Sequence, residues 1–251
     1  MQSVKVKILI LVISALNNNV RAQGKDVIIE KYIAAVGGVE KWKTLQSVVL
    51  SMTQYPKEER VIKIPSIHNN QVNDRWISIS KDGDSSTVCF NGKNYWRQVK
   101  GGAPESFDFY APVYVKYARL GEPTHILNAD SIKLEGTVDF IAGDKKVMCY
   151  KMALFVDGSR YYYFINTITY YLEGYTRGDP GDPVTSFNDY KKINELLVPF
   201  EEIIYRGKNI ESRFVTNLIY FNRNVPSQTY DYPKGTTNII STNLLFNLIQ
   251  Q

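Results

Sequence analysis

A period of two governs most of this chain. From Ser47 to Asn222, apolar and polar residues alternate in short runs, broken by Gly, Asn, Asp and Pro. Successive side chains of an extended strand point to opposite faces, so such alternation specifies strands with one dry face. The runs predict strands over Val48–Tyr55, Arg60–Ile67, Asp74–Ser80, Thr87–Phe90 and Tyr95–Val99. After a break they resume at Leu134–Phe140, Lys146–Val156, Arg160–Ile165, Thr169–Thr176, Thr185–Lys191, Leu197–Arg206 and Glu211–Asn222. Asn91-Gly92-Lys93, Asp157-Gly158-Ser159 and Asn166-Thr167 read as hairpin turns, and 178–183 as a Gly/Pro loop.

One strand breaks the alternation. In Lys146–Val156, Met148, Tyr150, Met152, Leu154 and Val156 form one face, while Val147, Cys149, Ala153 and Phe155 make most of the other. A strand that is apolar on both sides must be covered on both. Helices can cover one side. Ile29, Tyr32, Ile33 and Val36 fall at helical spacing behind a capping Asp26, and Gly37-Gly38 stops that helix. A second helix is expected over Val39–Leu45, a third from about Pro112 to Leu120, and a terminal one over Ser241–Gln250. About ten or eleven strands with helices in three places make one α+β domain. A large, strongly twisted antiparallel sheet tends to curl.

The first 22 residues stand apart. A short basic start (Lys5, Lys7), an apolar run from Ile8 to Leu16 and a polar end Val20-Arg21-Ala22 are the three parts of a secretory signal peptide, with cleavage expected near Ala22. The run is too short to span a bilayer. The alternative is an anchor that stays attached. The mature chain, 23–251, is then periplasmic or secreted and has no access to cytosolic nucleotides. Losing Lys5, Lys7 and Arg21 lowers the net charge from +5 to +2. With no dense basic block left, nucleic acid is a poor partner. Export permits a disulfide between Cys89 and Cys149, but each sits in an apolar run and reads more simply as a buried free thiol.

Groups for bond-making chemistry are scarce. His68 and His125 are the two histidines, and neither has a partner at metal-binding spacing. No Gly-x-Ser-x-Gly elbow occurs. Glu201 and Glu202 are adjacent in a strand and face apart, the wrong arrangement for two acids flanking one bond. Asp179 and Asp182 read as a polar turn rather than a calcium loop. Arg177-Gly178-Asp179 is a chance tripeptide. The reading is a non-enzyme with no catalytic residue, no metal and no cofactor.

Four spaced features together resemble the LolA-like superfamily, exported relatives of the periplasmic carriers of outer-membrane lipoproteins, in its divergent Bacteroidetes form. They are the helix–Gly-Gly–helix opening from Asp26 through Trp42 to Val48; Tyr162-Tyr163-Phe164-Ile165-Asn166-Thr167 with Tyr171-Leu172-Glu173; Phe187-Asn188-Asp189-Tyr190-Lys191 with Leu197-Val198-Pro199-Phe200; and Ile219-Tyr220-Phe221-Asn222 with Val225-Pro226 and Tyr230-Asp231-Tyr232-Pro233. The resemblance covers most of 23–251 as a single domain. It implies an incomplete antiparallel barrel, helices lidding its open side, and an apolar interior for acyl chains. The family's cavity-lid arginine has no match; Arg60 lies early in the sheet but in no motif.

The expected function is an exported carrier-like protein that holds lipid or lipoprotein acyl chains in an apolar cavity, within outer-membrane lipoprotein sorting or transport. Expected cavity-wall residues are Met52, Trp76, Tyr95, Trp96, Met148, Tyr150, Met152, Leu154, Tyr163, Phe214, Leu218 and Tyr220. A one-residue slip would turn any strand's set around. Two alternatives stay open: a periplasmic protein-interaction module on the same fold, with a periplasmic or outer-membrane protein as partner, and a hydrolase with an assembled site. A solid core in place of a cavity is the bland reading of the same apolar face.

Overall fold

The computed structural model describes residues 24–64, 66–68, 71–106, 123–156 and 158–233. The expected signal segment and the expected helices at 112–120 and 241–250 lie outside them. Two helices open the described chain, α1 (Lys25–Ala35) and α2 (Val39–Lys43), and one turn of helix, α3 (Thr124–Leu127), precedes the second half. Asp26 does not cap α1: Gly24 holds that position, and Asp26 stands in the first turn, where its charge complements the helix dipole. Gly37 and Gly38 end α1 with φ of 108° and 86°, the left-handed region that glycine tolerates. A Cβ on Gly37 would lie 2.5 Å from the Glu195 carbonyl oxygen, so glycine also permits the close approach of a sheet turn.

The strands are β1 (Val48–Tyr55), β2 (Glu59–Lys63), β3 (Ser66–His68), β4 (Gln71–Ile79), β5 (Ser85–Phe90), β6 (Tyr95–Val99) and β7 (Glu105–Ser106). After α3 come β8 (Ser131–Ala142), β9 (Lys145–Val156), β10 (Ser159–Asn166), β11 (Leu172–Thr176), β12 (Val184–Ile193), β13 (Leu196–Arg206) and β14 (Asn209–Phe221). The count among the described residues is fourteen, above the ten or eleven expected. The run Arg60–Ile67 divides into β2 and β3 around Pro65, a residue with no amide hydrogen for a ladder. The two-residue β7 carries no readable alternation.

All pairings are antiparallel, in the order β7-β6-β5-β4-β2-β1-β14-β13-β12-β11-β10-β9-β8, with β3 on β4. The first half runs outward from β1 and the second returns inward to β14. The β1–β14 ladder, Val48 against Phe221 through Tyr55 against Arg213, joins the halves. The result is one open, curved sheet, an incomplete barrel in which β7 and β8 are the outermost strands among the described residues.

Both faces are packed. The inner face carries α1, α2 and α3 through Ile28, Tyr32, Val36, Trp42 and Ile126, against Leu50, Met152, Leu154, Ile165, Leu172 and Val198. Outside, two smaller clusters form. One backs the first half: Val49, Ile62, Ile64, Ile77, Cys89 and Trp96 lie under Val225 and Tyr230 of the segment that follows β14. The other backs the second half through Phe140, Ala142, Cys149 and Tyr205. These clusters explain β9: Met152, Leu154 and Val156 face the helices, and Cys149 faces the outer cluster.

Candidate functional site

Ladder register decides which expected wall residues share a face. Residues directly opposite in an antiparallel pair point the same way. Ile219, Leu50, Lys63, Trp76, Val88 and Arg97 are successive partners across β14, β1, β2, β4, β5 and β6. Leu50 and Ile219 belong to the inner core, so this row crosses the inner face. A neighbouring row pairs Met52 with Val61. In the second half, Leu134, Met152, Tyr163 and Tyr175 form a row across β8 to β11.

Of the twelve expected wall residues, Met52, Met152, Leu154, Tyr163 and Phe214 lie in the inner cluster, with Trp76 and Tyr150 partly buried against it. The other five lie outside that cluster. Trp96 is in the outer cluster and donates from Nε1 to the Tyr230 carbonyl at 3.2 Å. Tyr220 packs against that same cluster. Tyr95 is half-buried and stacks on Phe90 with centroids 4.5 Å apart. Met148 and Leu218 are exposed. Tyr95 and Trp96 are consecutive, so one face could never hold both.

Leu218 and Tyr220 have a more specific cause. The β1–β14 ladder pairs Ser51 with Leu218 but Met52 with Thr216, leaving Asn217 as the extra residue of a bulge. A bulge shifts alternation by one. Phe214 faces inward before it, and Ile219 and Phe221 face inward after it. Ile219 and Phe221, together with Val61, Tyr175 and Phe187, also belong to the inner face. The apolar pair Leu218-Ile219 after Asn217 was the one sequence trace of the slip.

The inner face is rich in rings. Trp76 and Phe214 meet edge to face, with centroids 6.4 Å apart. Tyr175 lies 5.9 Å from both Phe187 and Tyr163. Two charged groups enter this surface. Glu202 pairs with Phe214 on one side and Phe187 on the other. Lys63 is half-buried, with Nζ 3.9 Å from the Trp76 ring centroid and 5.9 Å from that of Phe214.

The helices are anchored to the second half of the sheet. Lys31 donates to the Tyr170 hydroxyl at 3.0 Å, Lys25 to the Ile132 carbonyl at 3.4 Å, and Lys41 pairs with Glu195. The Leu197 amide donates to the Val36 carbonyl at 3.2 Å. These anchors belong to β8, to the start of β13 and to the β10–β11 and β12–β13 turns.

The remaining candidates are structural in their surroundings. Arg60 lies on the outer face, since its neighbour Val61 points inward, and its Nε approaches the Ser51 hydroxyl at 3.4 Å. The Asp182 carboxylate accepts from the Asp179 amide at 3.0 Å, a local turn contact. Glu201 pairs with Arg213 at 2.6 Å. His68 and His125 have side chains outside the described set. The two thiols are free and sit in separate outer clusters. Burial pushes each up to about 12; Arg75 opposes the shift at Cys89, and Glu173 adds to it at Cys149. Neutral, buried thiols are poor nucleophiles and poor metal ligands. No helix among the described residues is long and apolar enough to cross a membrane.

No family model and no curated protein sequence matches the chain. Solved structures do. A LolA superfamily protein from Nitrosomonas europaea aligns over 84% of this chain and 98% of its own length, at 11% identity and a TM-score of 0.54. A DUF1329 family protein from Desulfovibrio piger aligns over 82% of this chain and 97% of its own, also at 11% identity, with a TM-score of 0.52. The chain therefore has a LolA-like fold.

Proposed function

We propose that the protein is an exported, non-catalytic carrier that holds an acyl chain against the inner face of its incomplete barrel. The observation that supports this most is the inner wall itself. Met52, Val61, Trp76, Phe214, Phe187, Tyr175, Tyr163 and Met152 run across the sheet from β4 to β9, and the described helix anchors lie on its second half. Such a wall offers a hydrocarbon tail ring faces and flexible thioethers, surfaces that adapt to a chain without a fixed shape. Each methylene moved from water into it contributes about 0.8 kcal/mol, less the cost of association. A tail of ordinary length is then held firmly and can still be released. The LolA-like fold fits this reading, as does the secretory leader expected at 1–22, with which the mature chain would be periplasmic or secreted. Lipid or lipoprotein acyl chains are the expected cargo.

Native mass spectrometry of the mature protein purified from a bacterial host tests the reading. The expected result is a mass excess matching a lipid, lost on organic extraction and restored on incubation with a fatty acid. Met152→Glu, which places a charge deep in the wall, should abolish the excess. A protein that emerges lipid-free and takes up no fatty acid overturns the carrier reading.

A further inference from the structure

We infer that Lys63 receives the anionic headgroup of the bound acyl ligand; this rests on the acyl-chain reading above. Lys63 lies in an inner-face row between Leu50 and Trp76. Its aliphatic stem therefore runs over apolar surface and its ammonium emerges among rings. A half-buried cation in such a setting loses hydration and needs a partner to offset that loss. Several other cations on the sheet have carboxylates, and the buried Arg75 donates to the Thr229 carbonyl at 2.7 Å. Arg97, three strands along the same row, pairs with Glu105. Lys145 pairs with Glu173 at 2.6 Å, and Lys151 with Glu135 at 2.9 Å. Lys63 meets no carboxylate among the described residues; its close neighbours are the faces of Trp76 and Phe214.

Ring faces hold an ammonium electrostatically without accepting its hydrogen bonds in the way a carboxylate does. The Lys63 head is thus positioned, with N–H donors still available. An acceptor that reaches it must come with something that also covers the apolar wall beside it. An anionic oxygen headgroup on a hydrocarbon tail satisfies both conditions: the tail lies along Met52, Val61 and Phe214, and the head meets Lys63. A carboxylate and a phosphate share this chemistry, and the ligand is a fatty acid or an anionic phospholipid accordingly.

Displacement of a fluorescent fatty acid by palmitate, lysophosphatidate and hexadecanol tests this on the mature protein. Wild type should prefer at least one anionic probe over hexadecanol by roughly tenfold. Lys63→Met should lose that preference while keeping its affinity for hexadecanol, which also shows that the variant is folded. Lys63→Arg should retain the preference. Which anion Lys63→Met weakens more identifies the headgroup. Equal binding of the anions by wild type and Lys63→Met overturns the assignment and leaves the carrier reading standing. If wild type binds neither palmitate nor hexadecanol, both fail together.

Discussion

At the scale of single residues, two glycines and two thiols carry definite consequences. A Cβ on Gly174 would lie 2.2 Å from the Thr185 carbonyl oxygen and 2.6 Å from Phe140 Cζ. The first is backbone of the paired strand and cannot yield. Gly174→Ala should cost about 3 kcal/mol or more in urea unfolding, whereas Gly24→Ala, with nothing within 4 Å, should stay within about 1 kcal/mol. Cys89 and Cys149 hold their protons up to about pH 12 in the fold, against 9.0 for an ordinary thiol. Below pH 9 both states are neutral and the shift has no effect on stability. Above it the unfolded chain releases protons that the native state keeps, so stability falls as pH rises toward 12. Denaturant midpoints at pH 8 and 10.5 should show this fall, and a Cys89→Ala/Cys149→Ala double variant should show less of it. In the native protein neither thiol should react with a disulfide reagent at pH 8; rapid labelling would contradict the burial.

At the scale of elements, the helix pair and the β14 bulge matter most. Trp42 is 2% exposed and donates from Nε1 to the Val36 carbonyl at 3.0 Å, tying α2 to the end of α1. Trp42→Ala should cost about 3–5 kcal/mol by thermal or denaturant unfolding, and with α1 unseated the affinity for a fatty acid should drop too. The bulge at Asn217 fixes the facing of the last strand. Removing Asn217 would restore plain alternation and turn either Phe214 or the Ile219/Phe221 pair away from the inner face. The deletion should therefore lower the melting temperature far more than Asn217→Ala, which leaves the bulge in place. Equal effects would mean that the register is set elsewhere.

At the scale of the whole molecule, the decisive contact is the ladder between β1 and β14, which brings Val48 to Phe221 across nearly the entire described chain. Every other ladder joins strands close in sequence. Long loops must be closed before such a contact can contribute, so folding should be slow. Refolding followed by tryptophan fluorescence should contain a phase of seconds or longer. Leu50→Ala, which weakens this ladder's inner row, should slow that phase; a change confined to the unfolding rate would place the ladder after the transition state.

Alternation alone determined the class of fold, because the period of two is a local property that needs no partner to be read. β1 and β6 were predicted to the residue, and the double-sided dryness of β9 showed that both faces of the sheet would be covered. The helix pair around Gly37-Gly38 was legible for the same reason. The candidate site was legible only in part. Met52, Trp76, Tyr150, Met152, Leu154, Tyr163 and Phe214 share the inner face because no bulge displaces them from it, while Leu218 and Tyr220 lie past a bulge that only pairing with β1 creates. Trp96 looks like any buried aromatic until the segment carrying Tyr230 is found on its side of the sheet. The sequence gives Lys63 no prominence either; its place between Trp76 and Phe214 exists only once β2, β4 and β14 share one sheet. Local pattern says which residues avoid water, and long-range pairing says which of them avoid it together.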